Sequence, residues 1–204
     1  MSKLFCIMGK SASGKDTIFK HLIQDETLGL KTVVSYTTRP MREGEQDGVE
    51  YHFVTGQKLE DLKKAGKVIE CRDYHTVHGI WSYFTVDDGQ IDFENNQDSI
   101  IIGTLESYEQ IRIFYGKENV IPIYVNVEDG ERLSRALNRE KQQEHPKYLE
   151  LCRRFLADSE DFSEEKLKQC EIERIYENIH MDECLKEIRK EILEFRHRDF
   201  KKQK

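Results

Sequence analysis

Apolar runs and helical patterns alternate along both ends of this chain. Apolar residues at helical spacing predict a first helix through Ile18, Phe19, Leu22 and Ile23. Short runs typical of buried strands cover residues 3–8, 32–35, 99–103 and 120–127, and a weaker one covers 172–176. Further helices are predicted over 107–115, 129–144 and 147–162, and from Met181 onward. Strands that alternate with helices predict an α/β fold with a parallel sheet.

Strands dominate the pattern in the middle of the chain. Residues 50–54, 67–71 and 74–78 are typical of strands, and a short helix carrying Leu59 and Leu62 ends near Gly66. Polar residues predict loops over 37–48 and 87–98. We therefore predict one domain over residues 1–204, in which residues 35–95 are an insertion in a core made of 1–34 and 96–204.

Composition and charge narrow the function classes. The 204 residues suit one domain, and 10 Phe, 9 Tyr and 1 Trp supply enough large apolar groups for a core. The formal net charge of −7 argues against nucleic-acid and anionic-membrane partners. The apolar runs are far shorter than the roughly 20 residues that cross a bilayer, and Met1 to Lys3 begin no secretory leader. The five cysteines are widely spaced, which favours reduced thiols and a cytoplasmic protein.

A glycine-rich turn lies directly between the first predicted strand and the first predicted helix. Residues 9–17 fit the phosphate-binding pattern G-x-x-x-x-G-K. The glycines let backbone N–H groups turn toward phosphate oxygens, and the helix N-terminus adds its positive end. We therefore predict nucleotide phosphate binding by Gly9, Ser11, Ala12, Ser13, Gly14, Lys15, Asp16 and Thr17. The alternative is an ordinary glycine-rich turn between a strand and a helix.

The residue after Lys15 departs from this motif, in which Ser or Thr normally binds Mg²⁺. Asp16 is a hard oxygen donor that can bind Mg²⁺ directly or through water, and Thr17 can take part of that role. A carboxylate in the first turn of a helix is also favoured by the helix dipole alone. Both interpretations of Asp16 stay open.

A second dense cluster lies in the polar stretch after residue 35. Arg39 and Arg42 are three residues apart, so on a turn they can converge on one phosphate dianion through charge-assisted hydrogen bonds. Tyr51 can add a hydroxyl donor. Without further context, a solvated pair of arginines on a loop would be the more common case.

The same stretch resembles the guanylate kinase family signature S-x-x-T-R-x-x-R-x-G-E-x-x-G-x-x-Y-x-F. This chain supplies Ser35, Thr38, Arg39, Arg42, Gly44, Glu45, Gly48, Tyr51 and Phe53 at those positions, and its glycine-rich turn lies where the family has one. The resemblance implies a P-loop NTPase core of three layers with a parallel sheet, a β-rich acceptor-binding insertion and a helical lid. It is strong up to about Glu70 and weaker after that residue.

The resemblance implies a kinase that transfers the γ-phosphoryl group of ATP to GMP or dGMP, with Mg²⁺ as cofactor. The implied GMP-binding residues are Ser35, Arg39, Arg42, Glu45, Tyr51, Glu70 and His78. Physical chemistry supports Glu70, because a carboxylate can accept two parallel bonds from the N1–H and N2–H donors of guanine. The implied catalytic residues are Lys15, Arg39, Arg135, Arg139 and Arg154, the last three on a lid over residues 135–156. A monomer and a homodimer both stay open.

Two stretches depart from the family pattern. The family's Tyr-Gly-Ser/Thr segment is His78-Gly79-Ile80 here, so a hydroxyl is missing at Ile80, although Ser82 is near. The family's acidic pair after the next strand is absent, and only Glu106 is near. These departures keep open a kinase of the same fold with another acceptor, either another nucleotide or ribose 1,5-bisphosphate. A non-catalytic guanylate-kinase-like binding module also stays open, although such modules typically have an eroded glycine-rich turn.

Overall fold

The computed structural model describes residues 2–76 and 79–202, with side chains up to residue 196. The strands are β1 (Leu4–Met8), β2 (Lys31–Thr32), β3 (Tyr36–Thr37), β4 (His52–Phe53), β5 (Val68–Thr76), β6 (Gly79–Val86), β7 (Ser99–Ile102), β8 (Val120–Asn126) and β9 (Ile175–Glu177). The helices are α1 (Lys15–Gln24), α2 (Gly56–Lys64), α3 (Leu105–Tyr115), α4 (Asp129–Lys141), α5 (Tyr148–Asp161), α6 (Glu164–Gln169) and α7 (Met181–Lys202).

A five-stranded sheet in the order β2-β7-β1-β8-β9 forms the core, and all its pairs are parallel. Successive residues of a strand point to opposite faces. Phe5 and Ile7 therefore pack with α1 and α7 on one face, while Leu4 and Cys6 pack with α3 on the other. Burial on both faces explains why β1 is a continuous apolar run. The predicted α/β core with a parallel sheet between two helical layers is confirmed.

A second sheet of four strands, in the order β4-β3-β6-β5, comes from the strand-rich middle of the chain. Most of it is the antiparallel pair β5–β6, whose register runs from Val68 opposite Val86 to Thr76 opposite Gly79. Phe84 and Val86 of β6 pack against Leu59 of α2 in a small core of their own. The β5 face that carries Arg72 and Tyr74 contributes to the wall of the cavity described below.

Several predicted bounds are wrong. The strands expected over 67–71 and 74–78 are one strand, β5, and residues 77 and 78 lie outside the described part of the chain. The strand expected over 32–35 ends at Thr32, because the chain leaves the core sheet there and joins the small sheet at Tyr36. The pattern predicted neither β6 nor the short helix α6.

The sequence predicted that no segment crosses a bilayer and that the cysteines are reduced. The described helices include no segment that is long and apolar enough to cross a bilayer. All five cysteines fall within the described residues and are free thiols, as their spacing predicted. Burial raises the pKa of Cys6 to about 12, so this thiol is inert packing in the core sheet.

Candidate active site

The glycine-rich turn between β1 and α1 is packed closely on both sides. A Cβ atom at Gly9 would lie 2.4 Å from the carbonyl oxygen of Val125 on β8. Gly14 has a φ of +87°, and a Cβ atom there would lie 2.4 Å from Nδ2 of Asn178. That Nδ2 atom donates a hydrogen bond of 2.8 Å to the carbonyl oxygen of Ser13. Only glycine satisfies both the space and the backbone angle at position 14.

The turn is held from outside by charged residues of α4 and α5. The backbone N–H of Ser11 donates to Oδ2 of Asp158 at 2.7 Å, and Arg132 donates to the same oxygen at 3.3 Å. Lys10 donates to Asp129 at 3.2 Å, and Asp129 also accepts from Arg132. An N–H group of the turn therefore already binds an anionic oxygen. Sequence reasoning missed Arg132 and Asp158, which contact the turn from positions far along the chain.

Asp16 and Thr17 were the predicted metal ligands. The Asp16 carboxylate is 71% exposed and lies 3.4 Å from Nζ of Lys15. Thr17 is exposed on α1. The described residues contain no group of three or more His, Cys, Asp or Glu side chains able to hold a metal by themselves. A single accessible carboxylate fits Mg²⁺, which keeps most of its waters and is usually shared with substrate phosphates.

A cavity of about 460 Å³ lies between the glycine-rich turn, the small sheet and α5. Among the predicted site residues, it is lined by Lys15, Asp16, Ser35, Arg42, Tyr51 and Arg154. Residues of its wall that sequence reasoning missed include Arg72, Tyr74, Tyr83 and Thr104. A larger groove of about 740 Å³ lies between α1 and α7 and has none of the predicted site residues in its lining. The smaller cavity is therefore the candidate site.

Arg39 and Glu45 lie behind this cavity and hold each other. Nη1 and Nη2 of Arg39 donate to the two oxygens of Glu45 at 2.8 and 2.9 Å, and the Arg39 side chain is only 3% exposed. Glu45 also accepts from the backbone N–H of Arg42 at 2.7 Å. The hydrogen bond from Arg39 lowers the pKa of Glu45 to about 2. Glu45 thus fixes the loop that presents Arg42 to the cavity.

Tyr51 packs against Arg39 and the small sheet. Its ring lies 5.5 Å from the Tyr83 ring, and the guanidinium carbon of Arg39 lies 5.5 Å from the Tyr51 ring centroid. Burial raises the pKa of the Tyr51 hydroxyl, with nearby Tyr83 adding to the effect. The hydroxyl is therefore protonated at neutral pH and can donate to a phosphate oxygen.

Glu70 is buried and already has partners. Its Oε1 accepts from Oγ1 of Thr85 at 2.7 Å, and its Oε2 accepts from Nε of Arg72 at 2.9 Å. Nη1 of Arg72 donates to Oγ1 of Thr104 at 3.1 Å, which joins the small sheet to the N-terminus of α3. Residues two apart on a strand share a face. The spacing of Glu70 and Arg72 could therefore have revealed this pair.

The three predicted lid arginines have different surroundings. Arg154 on α5 lines the cavity and lies 3.8 Å from Glu150. Arg135 on α4 donates to Glu131 at 2.8 Å and to the carbonyl oxygen of Asn178 at 3.2 Å. Arg139 is exposed near the end of α4. Only Arg154 of the three is among the residues that line this cavity. The predicted site residue His78 lies outside the described residues.

The guanylate kinase family model matches residues 1–194 of this chain. The chain belongs to the guanylate kinase family. Relatives named guanylate kinase include those of Vibrio vulnificus, 36% identical over 91 residues, and of Aliivibrio fischeri, 35% identical over 96 residues. These alignments cover 42% and 44% of this chain. They cover 44% and 46% of the two relatives, so the chain spans less than half the length of those relatives.

A crystal structure of guanylate kinase from Anaplasma phagocytophilum has the same fold. The two chains superpose with a TM-score of 0.61 at 19% identity, covering 94% of this chain and 84% of the other. The family assignment confirms the resemblance seen in the sequence, and the superposition confirms the fold.

Proposed function

We propose that this chain transfers the γ-phosphoryl group of ATP to GMP or dGMP, giving ADP and GDP or dGDP. The observation that carries the proposal is one cavity that brings Lys15 of the glycine-rich turn together with Arg42, Tyr51 and Arg154. Phosphoryl transfer needs little covalent chemistry from the protein, and catalysis comes from positioning and charge neutralisation. A cationic cavity with a phosphate-binding turn at one end provides both.

Each side of the cavity has a proposed role. Residues 9–17 bind the ATP phosphates through backbone N–H groups, and Lys15 neutralises the β- and γ-phosphates. Arg42 and Tyr51 bind the acceptor's phosphate, and Arg39 supports them from behind the cavity. An oxygen of that phosphate bonds to the γ-phosphorus, the bond from this phosphorus to the bridging oxygen breaks, and ADP leaves.

Mg²⁺ is the proposed cofactor, held by Asp16 together with the phosphates of ATP. When bound, it supplies further neutralisation of the β- and γ-phosphate charge. The accessible Asp16 carboxylate beside Lys15 supports this assignment, whereas Thr17 has the weaker claim because it offers only a neutral hydroxyl.

Residues 35–95 are the proposed acceptor-binding insertion, and residues 135–156 are the proposed lid. We propose that the lid moves when both substrates bind, so that Arg135 and Arg139 join Arg154 at the transferred group. Such closure would exclude water and suppress ATP hydrolysis. A cytoplasmic location and a monomeric or homodimeric state stay predictions.

An acceptor panel tests the proposed function. ADP release from Mg·ATP is measured with GMP, dGMP, AMP, CMP, UMP and ribose 1,5-bisphosphate. The proposal expects turnover with GMP and dGMP well above that with the other acceptors. Turnover with GMP no faster than with AMP would contradict it, and preference for the ribose bisphosphate would assign another acceptor. Tight GMP binding without ADP release would indicate a binding module.

A further inference from the structure

Two side chains at the two ends of the proposed lid hold the same residue of the glycine-rich turn. Asp158 lies just after the lid on α5, and its Oδ2 atom accepts from the backbone N–H of Ser11 at 2.7 Å. Arg132 lies just before the lid on α4, and its Nη1 atom donates to the carbonyl oxygen of Ser11 at 3.4 Å. The same Nη1 atom donates to Oδ2 of Asp158 at 3.3 Å. Arg132 and Asp158, which we call the clamp, therefore engage both backbone polar groups of Ser11.

The clamp is largely buried and is held from a second direction. The Arg132 side chain is 1% exposed and the Asp158 side chain 18%. The guanidinium carbon of Arg132 lies 4.1 Å from the ring centroid of Phe155, and Nε and Nη2 donate to Asp129 at 3.1 and 2.9 Å. Asp129 also accepts from Lys10 of the turn. The start of α4, the end of α5 and the turn are therefore joined by one charged network, whose hydrogen bonds fix the directions of their partners.

The turn beside Ser11 has a backbone conformation that needs such support. Ala12 has a φ of +63°, in the left-handed region where a residue with a Cβ atom is strained. Strained backbone persists only where the surrounding structure fixes it. The clamp holds the residue immediately before Ala12, so it helps to keep the turn in its phosphate-binding shape. Neither Arg132 nor Asp158 is among the residues that line the cavity, so their effect on the site is indirect.

The clamp also connects the turn to an arginine of the cavity. Arg154 lies one helical turn before Asp158 on α5, at a spacing that places the two side chains on the same side of the helix. Arg154 lines the cavity together with Lys15, the first residue of α1 after the turn. Docking of Asp158 on Ser11 therefore sets the separation between the cation of the lid and the cation of the turn.

We propose that Arg132 and Asp158 are positioning residues that anchor the base of the lid to the phosphate-binding turn and thereby place Arg154 relative to Lys15. The inference rests on the proposed function and deepens it, because it divides the lid into a fixed base and a moving tip. The tip, which includes Arg139, moves when the substrates bind. Arg154 stays in the place that the anchored base gives it.

A double-mutant cycle tests whether Asp158 acts through Arg154. Asp158→Ala should lower kcat for GMP-dependent ADP release by about 10–100-fold, because a small displacement of a positioned group costs much of its effect. In the Arg154→Ala background, the same substitution should lower kcat by less than about threefold. A merely structural role would lower the active fraction by the same factor in both backgrounds. Equal factors, or full activity in the Arg154→Ala variant, therefore overturn the inference.

Three further variants make the cycle specific. Arg42 lies on the sheet side of the cavity, so Asp158→Ala should keep its full effect in an Arg42→Ala background. Glu160→Ala removes an exposed carboxylate from the same helix and should leave kcat unchanged. Asp158→Asn keeps an oxygen that can accept from Ser11 but loses the charge, so it should retain more activity than Asp158→Ala. Equal loss in the Asn and Ala variants would contradict anchoring through Ser11.

Hydrogen exchange of the Ser11 amide tests the anchor in the wild-type protein and decides even if Asp158→Ala does not fold. The inference expects this amide to be protected in the free protein and to stay protected with GMP and a non-hydrolysable ATP analogue. Rapid exchange in either state overturns the inference, whether or not the protein phosphorylates GMP. A protein that keeps this amide protected but does not phosphorylate GMP overturns the proposed function instead, and the role in placing Arg154 falls with it.

Discussion

One side of the candidate cavity is a turn of consecutive residues, 9–17, whereas the opposite side is assembled from β5, β6 and the loop around Arg42. The turn offers mainly backbone N–H groups, and its shape depends on Gly9 and Gly14. The sheet side offers side chains whose directions depend on partners elsewhere in the chain. A site made of backbone can be identified from one short stretch of sequence, whereas on the sheet side the sequence predicted Arg42 and Tyr51 but not Arg72.

The two sides also hold their charges differently. At the turn, the carboxylates of Asp129 and Asp158 bind Lys10, Arg132 and the Ser11 N–H from outside the cavity. On the sheet side, each buried carboxylate holds an arginine, as Glu70 holds Arg72. A charged pair of this kind adds geometric specificity to a site when one partner fixes the direction of the other. Variants on the two sides should therefore fail in different ways.

The largest effect is expected from Lys15 on the turn side. Lys15→Met should lower kcat for ADP release by about 10²–10³-fold, because one charged donor to the transferred phosphoryl group is lost. GMP affinity should change little, which equilibrium binding measures. Lys63→Met, an exposed lysine on α2, is the control and should keep full activity. Unchanged turnover in the Lys15 variant would show that the turn does not act in transfer.

Arg42 tests the sheet side. Arg42→Ala should raise the KM for GMP by about 10–100-fold, because a charge-assisted bond to the acceptor phosphate is lost. The KM for ATP should stay the same, which distinguishes the two sides of the cavity. Glu43→Ala changes the exposed neighbour and should leave both KM values as they are. Equal increases for ATP and GMP in the Arg42 variant would contradict the division of roles.

The same contrast explains what the sequence alone could predict. The apolar run of β1 and the motif that follows it are local, and the structure has both within a residue of their predicted places. The Arg72–Glu70 pair was missed because charged residues alternating along β5 are also typical of an exposed strand. The Ser11–Asp158 bond joins residues far apart in sequence, so no local pattern contains it. Both interactions depend on how the strands and helices pack in the folded chain, which a local sequence pattern does not contain.

Gly14 offers a smaller and more local test of the turn. Gly14→Ala should lower the free energy of unfolding by about 1–3 kcal/mol, because a Cβ atom is strained at a φ of +87° and meets Asn178 at 2.4 Å. Denaturant unfolding measures this change. Combining it with Asn178→Ala removes the clash but not the strain, so the double variant should lose less stability than the sum of the two single variants. Strict additivity of the two changes would mean that the Asn178 contact is not the cause.

Substitution of Glu45 is expected to give the smallest effect, a change in the free energy of unfolding. Measuring that change at several pH values distinguishes this variant from the preceding ones. The pKa of Glu45 is lowered to about 2 in the folded state by Arg39, so its contribution to stability is present above the unfolded-state pKa near 4.5. That contribution is lost as the pH falls toward 2. Glu45→Gln should therefore cost about 1 kcal/mol at pH 7, a modest figure because this carboxylate is partly exposed and screened.

The difference between wild type and Glu45→Gln should shrink between pH 4.5 and pH 2, since protonation removes the same charge from the wild type. Glu50→Gln is a control, as this exposed carboxylate accepts from the backbone N–H of Gln46 and has no ion pair with an arginine among the described residues. A pH-independent difference for Glu45→Gln would mean that the lost interaction is not the charge pair with Arg39. In that case the backbone of the loop, and not the charge pair, would hold Arg42 in place.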